Sequence, residues 1–132
     1  MNNQVPEYFV ALVKQYANLA NNQQSLRAVT NISDSLHRCL DDKSRRWFFY
    51  IAPDYLSVRG KMFLTSLKSK NRTYQHSILM DRLRLQQNLT DDTEVENLLS
   101  AYLKAVAIVV GPKNTKKLQS ALPAEITTKI TQ

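Results

Sequence analysis

One short segment of the chain holds most of the side chains that could recognise another molecule. Arg45, Arg46, Trp47, Phe49 and Tyr50 fall within six consecutive positions. On a helix, residues three or four apart are neighbours, so Trp47 and Tyr50 would lie side by side with the arginines next to them. Trp, Tyr and Arg are the residue types that most often carry binding energy at protein interfaces. The segment therefore predicts a protein-binding surface made of Trp47, Tyr50, Arg45 and Arg46.

The aromatic rings of this segment also have an explanation that needs no partner. Trp47, Phe49 and Tyr50 could pack against the first helix or cover the basic residues that follow them. The sequence leaves open whether the three rings are exposed or belong to the core. If they are exposed, the expected partner is another protein or a second copy of this chain.

A basic segment supports an alternative function, nucleic-acid binding. No acidic residue occurs between Ser57 and Met80, and the formal net charge of the chain is +7. Lysines and arginines contact phosphates, and nearby aromatic rings stack on unpaired bases. A solvated loop explains these charges equally well, and no helix-turn-helix or RNA-binding signature is present. The alternative assigns binding to segment 57–84 and the neighbouring aromatics, with the candidate contacts Arg59, Lys61, Lys68, Lys70 and Arg72.

Residues suited to catalysis are few. The single cysteine, Cys39, lies two positions from His37, and side chains at that spacing point to different sides of a helix. His76 has no other metal-ligating residue at a suitable spacing. The only glycines, Gly60 and Gly111, cannot form a phosphate-binding loop. We therefore expect a protein that is not an enzyme, with no catalytic residue, metal, cofactor or small-molecule substrate.

Six of the eleven acidic residues fall in two clusters, Asp41-Asp42 and the stretch from Asp91 to Glu96. Both clusters precede or open a stretch with helical periodicity. Negative side chains at helix starts bond to the free N–H groups and interact favourably with the helix dipole. Helix capping thus accounts for both clusters, with Asp42 as the expected cap of the short helix that carries Trp47.

Apolar residues recur at three- and four-residue spacing along most of the chain, and this pattern predicts helices. Pro6 opens the first helix, Asn21 and Asn22 separate it from the second, and Pro53 ends the third. Only two glycines and four prolines argue against a fold with many turns. The predicted stripes are Phe9, Leu12, Val13, Tyr16 and Leu19; Leu26, Val29, Ile32, Leu36 and Cys39; Tyr74, Ile78, Leu79, Leu83 and Leu85; and Val95, Leu98, Leu99, Tyr102, Val106, Val109 and Val110.

The second half of the chain repeats the first at an offset of 70 positions. Pro53 then pairs with Pro123, and Lys43 pairs with Lys113. The apolar stripes superpose as well, and Gly111-Pro112 is expected to break the longest one. The fold prediction is therefore all-α: a compact helical bundle of two pseudo-repeated three-helix units. One domain, 1–132, would contain repeat one at about 6–56, a basic linker at about 57–72 and repeat two at about 73–130.

The repeat also shows which residues the architecture does not need. Where the first copy has Trp47, Phe49 and Tyr50, the second has polar residues, namely Lys117, Gln119 and Ser120. The aromatic group is therefore an addition to the shared pattern, which favours a functional explanation for it.

Three stretches carry a resemblance to a known family. They are Leu26-Arg-Ala-Val29, Ile51-Ala-Pro53, and Leu118 through Leu122-Pro-Ala-Glu-Ile126. In these the chain, from Tyr8 to Ile130, resembles a family of small bacterial helical proteins known only as a domain of unknown function. The resemblance implies two helical repeats, each closed by a short helix with a Leu-Pro or similar ending, and no catalytic residues. The chain departs from the family at Val58-Arg-Gly-Lys61, where a basic stretch follows.

The sequence also suggests a compartment. A single cysteine and the lack of an apolar leader indicate a reducing, bacterial-type cytoplasm. The longest apolar run, Ala105–Val110, is far shorter than the roughly 20 residues of a membrane-spanning helix. We therefore expect a cytoplasmic protein without membrane association.

Overall fold

The structure is a computed structural model that describes residues 5–57 and 73–130. Within these two ranges it contains six α-helices, one turn of 3-10 helix and no β-strand, which confirms the all-α fold class. The helices are α1 (Glu7–Ala17), α2 (Asn22–Cys39), α3 (Asp42–Ile51), α4 (His76–Gln86), α5 (Asp92–Ala121) and α6 (Ala124–Ile130), with the 3-10 turn at Asp54–Leu56. The predicted basic linker lies outside the described residues, apart from Ser57.

Three helices begin at side-chain caps. The Asn21 side chain accepts a hydrogen bond from the Gln24 N–H at 2.9 Å, as expected for a cap of α2. At α5 the Asp91 carboxylate accepts from the Thr93 N–H at 2.9 Å. At α3 the prediction that Asp42 is the cap is wrong. Asp41 has the extended backbone of a cap and accepts from the Ser44 N–H at 3.3 Å, whereas Asp42 is the first helical residue and pairs with arginines instead.

Two asparagines end α1 and α4 in the same way. Asn18 and Asn88 adopt left-handed backbone angles, with φ of 57° and 55°. The N–H of the following leucine, Leu19 or Leu89, then donates back to a carbonyl of the last helical turn at 2.9 Å. Asparagine tolerates this conformation better than other non-glycine residues, so each asparagine turns the chain sharply into the next helix.

Helix α5 is interrupted at Gly111, as the Gly111-Pro112 pair predicts. Gly111 has φ of 88° and ψ of 167°, a conformation open almost only to glycine. Pro112 then starts a second helical segment, 112–121, in the position where its missing N–H costs nothing. The Thr115 hydroxyl donates to the Gly111 carbonyl at 2.8 Å, and the Asn114 amide donates to the Val110 carbonyl, in the last turn before the break, at 3.2 Å.

Helix α5 is the centre of the packing and contacts the five other α-helices. The ring of Tyr102 is fully buried, stacked on Phe48 of α3 and edge-on to Phe9 of α1. Its hydroxyl is hydrogen-bonded to Ser33 Oγ of α2 at 2.8 Å, and burial raises its pKa so that it stays neutral. The surrounding core includes Val13, Val29, Ile32, Leu36, Leu79, Leu83, Val95, Leu99, Val106, Leu118 and Ile126.

Four residues of the predicted apolar stripes are exposed rather than buried: Tyr16, Leu26, Ile78 and Leu85. On α1 and α4 the buried face is rotated from the predicted stripe, because Val10 and Met80 face the core although the prediction did not include them. On α2 the core position beside Leu26 belongs to Ser25, whose hydroxyl donates to the buried Val10 carbonyl at 2.7 Å. A hydrogen-bonded serine therefore occupies the core position at the start of α2, where periodicity predicts the apolar Leu26.

Length and composition alone would allow one described helix, α5, to cross a membrane. Its most apolar window has a mean hydropathy of 1.3, and 44% of that window is buried inside the protein. A core helix passes the same test, and α5 occupies the core of this bundle.

Candidate functional site

Helix α3 has two distinct faces. One face packs into the protein and consists of Ser44, Arg45, Phe48 and Phe49. The other is exposed and consists of Lys43, Arg46, Trp47 and Tyr50. The exposed residues follow the three- and four-residue spacing of a helix, so they form one continuous stripe. This stripe is called the α3 surface below.

The two largest rings of the α3 surface are exposed. Trp47 retains 43% of its accessible area and Tyr50 retains 81%. Their ring centroids are 6.1 Å apart at an interplanar angle of 86°, an edge-to-face contact. Phe49 is only 6% exposed, and its ring packs edge-on against Phe48 and His37. The structure therefore separates the three rings: Phe49 belongs to the core, whereas Trp47 and Tyr50 are exposed.

A groove of about 690 Å³ runs beside these rings. It is lined by Asp42, Lys43, Arg46, Trp47, Phe49 and Tyr50. Its lining combines aromatic surface and an arginine, residue types enriched at interface centres, with Asp42 and Lys43, types that are more common at the rim. The volume is large enough to admit side chains of a partner.

Arg45 corrects the predicted site. Its side chain is 1% exposed and forms an ion pair with Asp42, so its guanidinium is buried under α3 and does not lie on the binding surface. The same Asp42 carboxylate also pairs with Arg46, which is exposed. The prediction failed because adjacent residues on a helix lie about 100° apart, which here separates a buried position from an exposed one.

The charge of the groove is net positive. Asp42 is engaged by two arginines, whereas Lys43 forms no ion pair with any residue in the described ranges. Two cations, Lys43 and Arg46, therefore flank the exposed rings. An anionic group that approaches the α3 surface would meet a favourable field.

The residues of the alternative site cannot be placed. Arg59, Lys61, Lys68, Lys70 and Arg72 all lie outside the described residues. Two later arginines of the same segment do have partners. Arg82 pairs with Asp34 at 3.4 Å, and Arg84 pairs with Asp92 at 2.5 Å and with Asp81.

A chain of polar contacts joins α4, α5 and α6, and no local sequence pattern predicts it. The Tyr74 hydroxyl is 2.6 Å from His76 Nδ1, and His76 Nε2 is 3.3 Å from Glu96 Oε2. Lys129 pairs with the other oxygen of Glu96. Burial acts to raise the pKa of Glu96, but the hydrogen bonds from Lys129 and His76 outweigh it and hold that pKa below its usual value. Glu96 therefore bonds across helices, where the sequence assigned it to helix capping alone.

The remaining candidates for chemistry are buried or scattered. Cys39 and His37 are both buried in the core. Among residues 5–57 and 73–130, no three His, Cys, Asp or Glu side chains converge as a metal site would require.

Comparison of the chain with protein-family models, curated proteins and solved structures gave no match. The resemblance to the two-repeat helical family therefore stays a prediction, and the function must be argued from the geometry.

Proposed function

We propose that this chain is a non-enzymatic protein-interaction module that binds an acidic, apolar segment of another protein through the α3 surface. The observation that carries the proposal is the exposure of Trp47 and Tyr50 on a helix whose opposite face is already buried in the core. Phe48 and Phe49 on the buried face pack α3 against the core.

Energetics favour a partner for these rings. Full burial of an exposed large apolar side chain contributes about 1.5–3 kcal/mol, and Tyr50, at 81% exposure, can still gain most of the benefit of burial. Trp and Tyr residues often dominate binding energy at interfaces. Lys43 and Arg46 beside the rings favour a carboxylate on the partner. The expected ligand segment therefore carries Asp or Glu close to an aromatic or leucine side chain.

The fold that carries this surface is proposed to consist of two pseudo-repeated three-helix units in a single cytoplasmic domain. Support comes from features that recur 70 positions apart. Asn18 and Asn88 share left-handed angles, Asn21 and Asp91 cap helices, and Pro53 and Pro123 each follow a helix end. On this scheme the segment 112–121 is the counterpart of α3, and it lacks the aromatic residues.

The test selects peptide ligands for the full chain from a random library displayed on phage. We expect the enriched peptides to place Asp or Glu near an aromatic or leucine residue. The double substitution Trp47→Ala plus Tyr50→Ala should weaken their binding by about a hundredfold, because both central rings are removed. Retention of binding in a folded double variant would contradict the proposal.

A matched control uses aromatic and aliphatic residues of equal exposure elsewhere. Tyr16 is 42% exposed and Leu85 is 81% exposed, close to the values of Trp47 and Tyr50. The variant Tyr16→Ala plus Leu85→Ala should bind the selected peptides as the wild type does. Circular dichroism of both double variants establishes that the helices are retained.

The rival function is tested with a fluorescently labelled single-stranded oligonucleotide. Phosphate contacts give an affinity that falls log-linearly as salt is raised. Binding of that kind, together with failure to select any peptide, would assign the chain to nucleic acid instead. The absence of oligonucleotide binding at low salt would remove this alternative.

A further inference from the structure

A second cavity lies where the turn between α1 and α2 meets the turn between α4 and α5. It has a volume of about 580 Å³, within the usual range of small-molecule sites. The ends of α1 and α4 and the first turns of α2 and α5 form its walls. This cavity, called the turn cleft below, is separate in its lining from the α3 surface.

The turn cleft is rich in hydrogen-bond donors. Gln24, Gln86 and Gln87 line it, and each has its side-chain oxygen engaged within the protein. Gln24 Oε1 accepts from the Ala20 N–H at 3.1 Å, and a backbone N–H can only donate, so the Gln24 amide orientation is fixed. Gln86 Oε1 accepts from Ser35 at 2.6 Å, and Gln87 Oε1 accepts from the Asn31 amide at 2.5 Å. The NH₂ groups of the three glutamines are left as donors.

The turn cleft also carries one charge of each sign. Arg27 and Glu94 line it, and neither forms an ion pair with a residue in the described part of the chain. At the offset of 70, Arg27 corresponds to Asn97 and Glu94 corresponds to Gln24. The first half of the chain thus supplies only the cation and the second half only the anion. The cleft is therefore dipolar, although its walls are built from equivalent positions.

Apolar side chains complete the lining. Leu19 and Leu89 follow the two asparagine turns, and Leu98 reaches the cleft from α5. Leu98 is largely buried, so it offers a fixed apolar patch. A ligand that matches this lining needs one anionic group, one cationic group and a small apolar body.

We infer that the turn cleft binds a small zwitterion of the α-amino-acid class. Arg27 and the glutamine NH₂ groups receive the carboxylate, because guanidinium and amide donors pair with both of its oxygens. Glu94 receives the ammonium group. The apolar side chain of the ligand packs on Leu19, Leu89 and Leu98. The inference does not depend on the proposed function of α3.

The experiment titrates the ¹⁵N-labelled full chain with L-leucine and follows side-chain resonances by NMR. We expect saturable shifts of the glutamine NH₂ signals and of the Arg27 Nε–H signal. Two analogues with the same apolar side chain test whether both charged groups of leucine are recognised. 4-Methylpentanoate lacks the ammonium group, and 3-methylbutylamine lacks the carboxylate. Each should bind about tenfold or more weakly, because a charge-assisted pair is lost. Equal binding of leucine and either analogue would overturn the inference.

Substitutions separate this site from the α3 surface. Arg27→Gln and Glu94→Gln, both of exposed residues, should each weaken binding of the best amino acid by about tenfold or more. The Trp47→Ala plus Tyr50→Ala variant should bind it unchanged. If no member of a panel of the common L-amino acids produces saturable shifts in the folded wild type, the inference is wrong.

Discussion

At the scale of single residues, one carboxylate organises the start of α3. Asp42 pairs with Arg45, which is buried, and with Arg46, which is exposed. The buried pair holds the helix in place, and the exposed pair positions a cation beside Trp47. The two neighbouring arginines therefore have different roles, although the sequence predicts both on the protein-binding surface.

We predict that Asp42→Asn lowers the free energy of unfolding by on the order of 3 kcal/mol, because the buried Arg45 guanidinium loses the ion pair with Asp42. Chemical denaturation with urea measures the change. Asp81→Asn is the matched control, since the Asp81 carboxylate is exposed and also pairs with an arginine, Arg84. Its urea midpoint should stay close to that of the wild type. Equal effects of the two substitutions would show that the Asp42 pair does not stabilise the fold.

Part of the α3 surface could be predicted from the sequence. Trp47 and Tyr50 stood out because the second half of the chain has Lys117 and Ser120 at the matching positions. Arg45 could not be excluded in the same way, since its burial depends on the rotation of α3 against the core. Periodicity gives the spacing of a stripe, and packing decides which residues at its edges are covered.

At the scale of the elements, helix starts and stops follow local residue chemistry. Asn21, Pro53 and Gly111 act where the sequence predicts, because their effects depend only on the backbone around them. The sequence predicts Asp42 as the cap of α3, one residue after the true cap Asp41, because either carboxylate could accept the N-terminal hydrogen bonds. Asp42, which does not act as the cap, forms ion pairs with Arg45 and Arg46 one turn later.

We predict that Gly111→Ala destabilises the protein by about 1–3 kcal/mol, because its backbone angles suit almost only glycine. A Cβ at this position would meet no atom within 4 Å, so the cost is purely conformational. Thermal unfolding measures it. Asn18→Gly is the comparison, and it should not destabilise, because glycine accepts the left-handed angles of Asn18 freely. An unchanged melting temperature for Gly111→Ala would contradict the assigned break in α5.

At the scale of the whole molecule, contacts between distant residues were beyond prediction from the sequence. Tyr74, His76, Glu96 and Lys129 come from three different parts of the chain, and no local pattern connects them. The turn cleft was missed for the same reason, since its walls meet only when both halves have folded. The all-α class, by contrast, follows from periodicity along the chain alone.

We predict a loss of stability in acid from the network around Glu96. The pKa of Glu96 is lower in the folded protein than in the unfolded chain, so its contribution is present above the unfolded value and is lost as pH falls through the folded one. Glu96→Gln should therefore be less stable than the wild type at neutral pH, and the difference should shrink below about pH 4. Urea midpoints across a pH series measure it. A difference that stays constant down to pH 2 would contradict the role of this network.

The central claim is that the α3 surface is exposed in the free protein and covered by a partner. Trp47 is the only tryptophan, so its fluorescence reports on this surface alone. In the free protein we predict emission typical of an exposed indole, quenched more by iodide than by caesium because Lys43 and Arg46 attract the anion. Saturation with a selected peptide should shift the emission to the blue and protect it from both quenchers. A blue-shifted, protected Trp47 in the free protein, or emission that the peptide does not change, would contradict the claim.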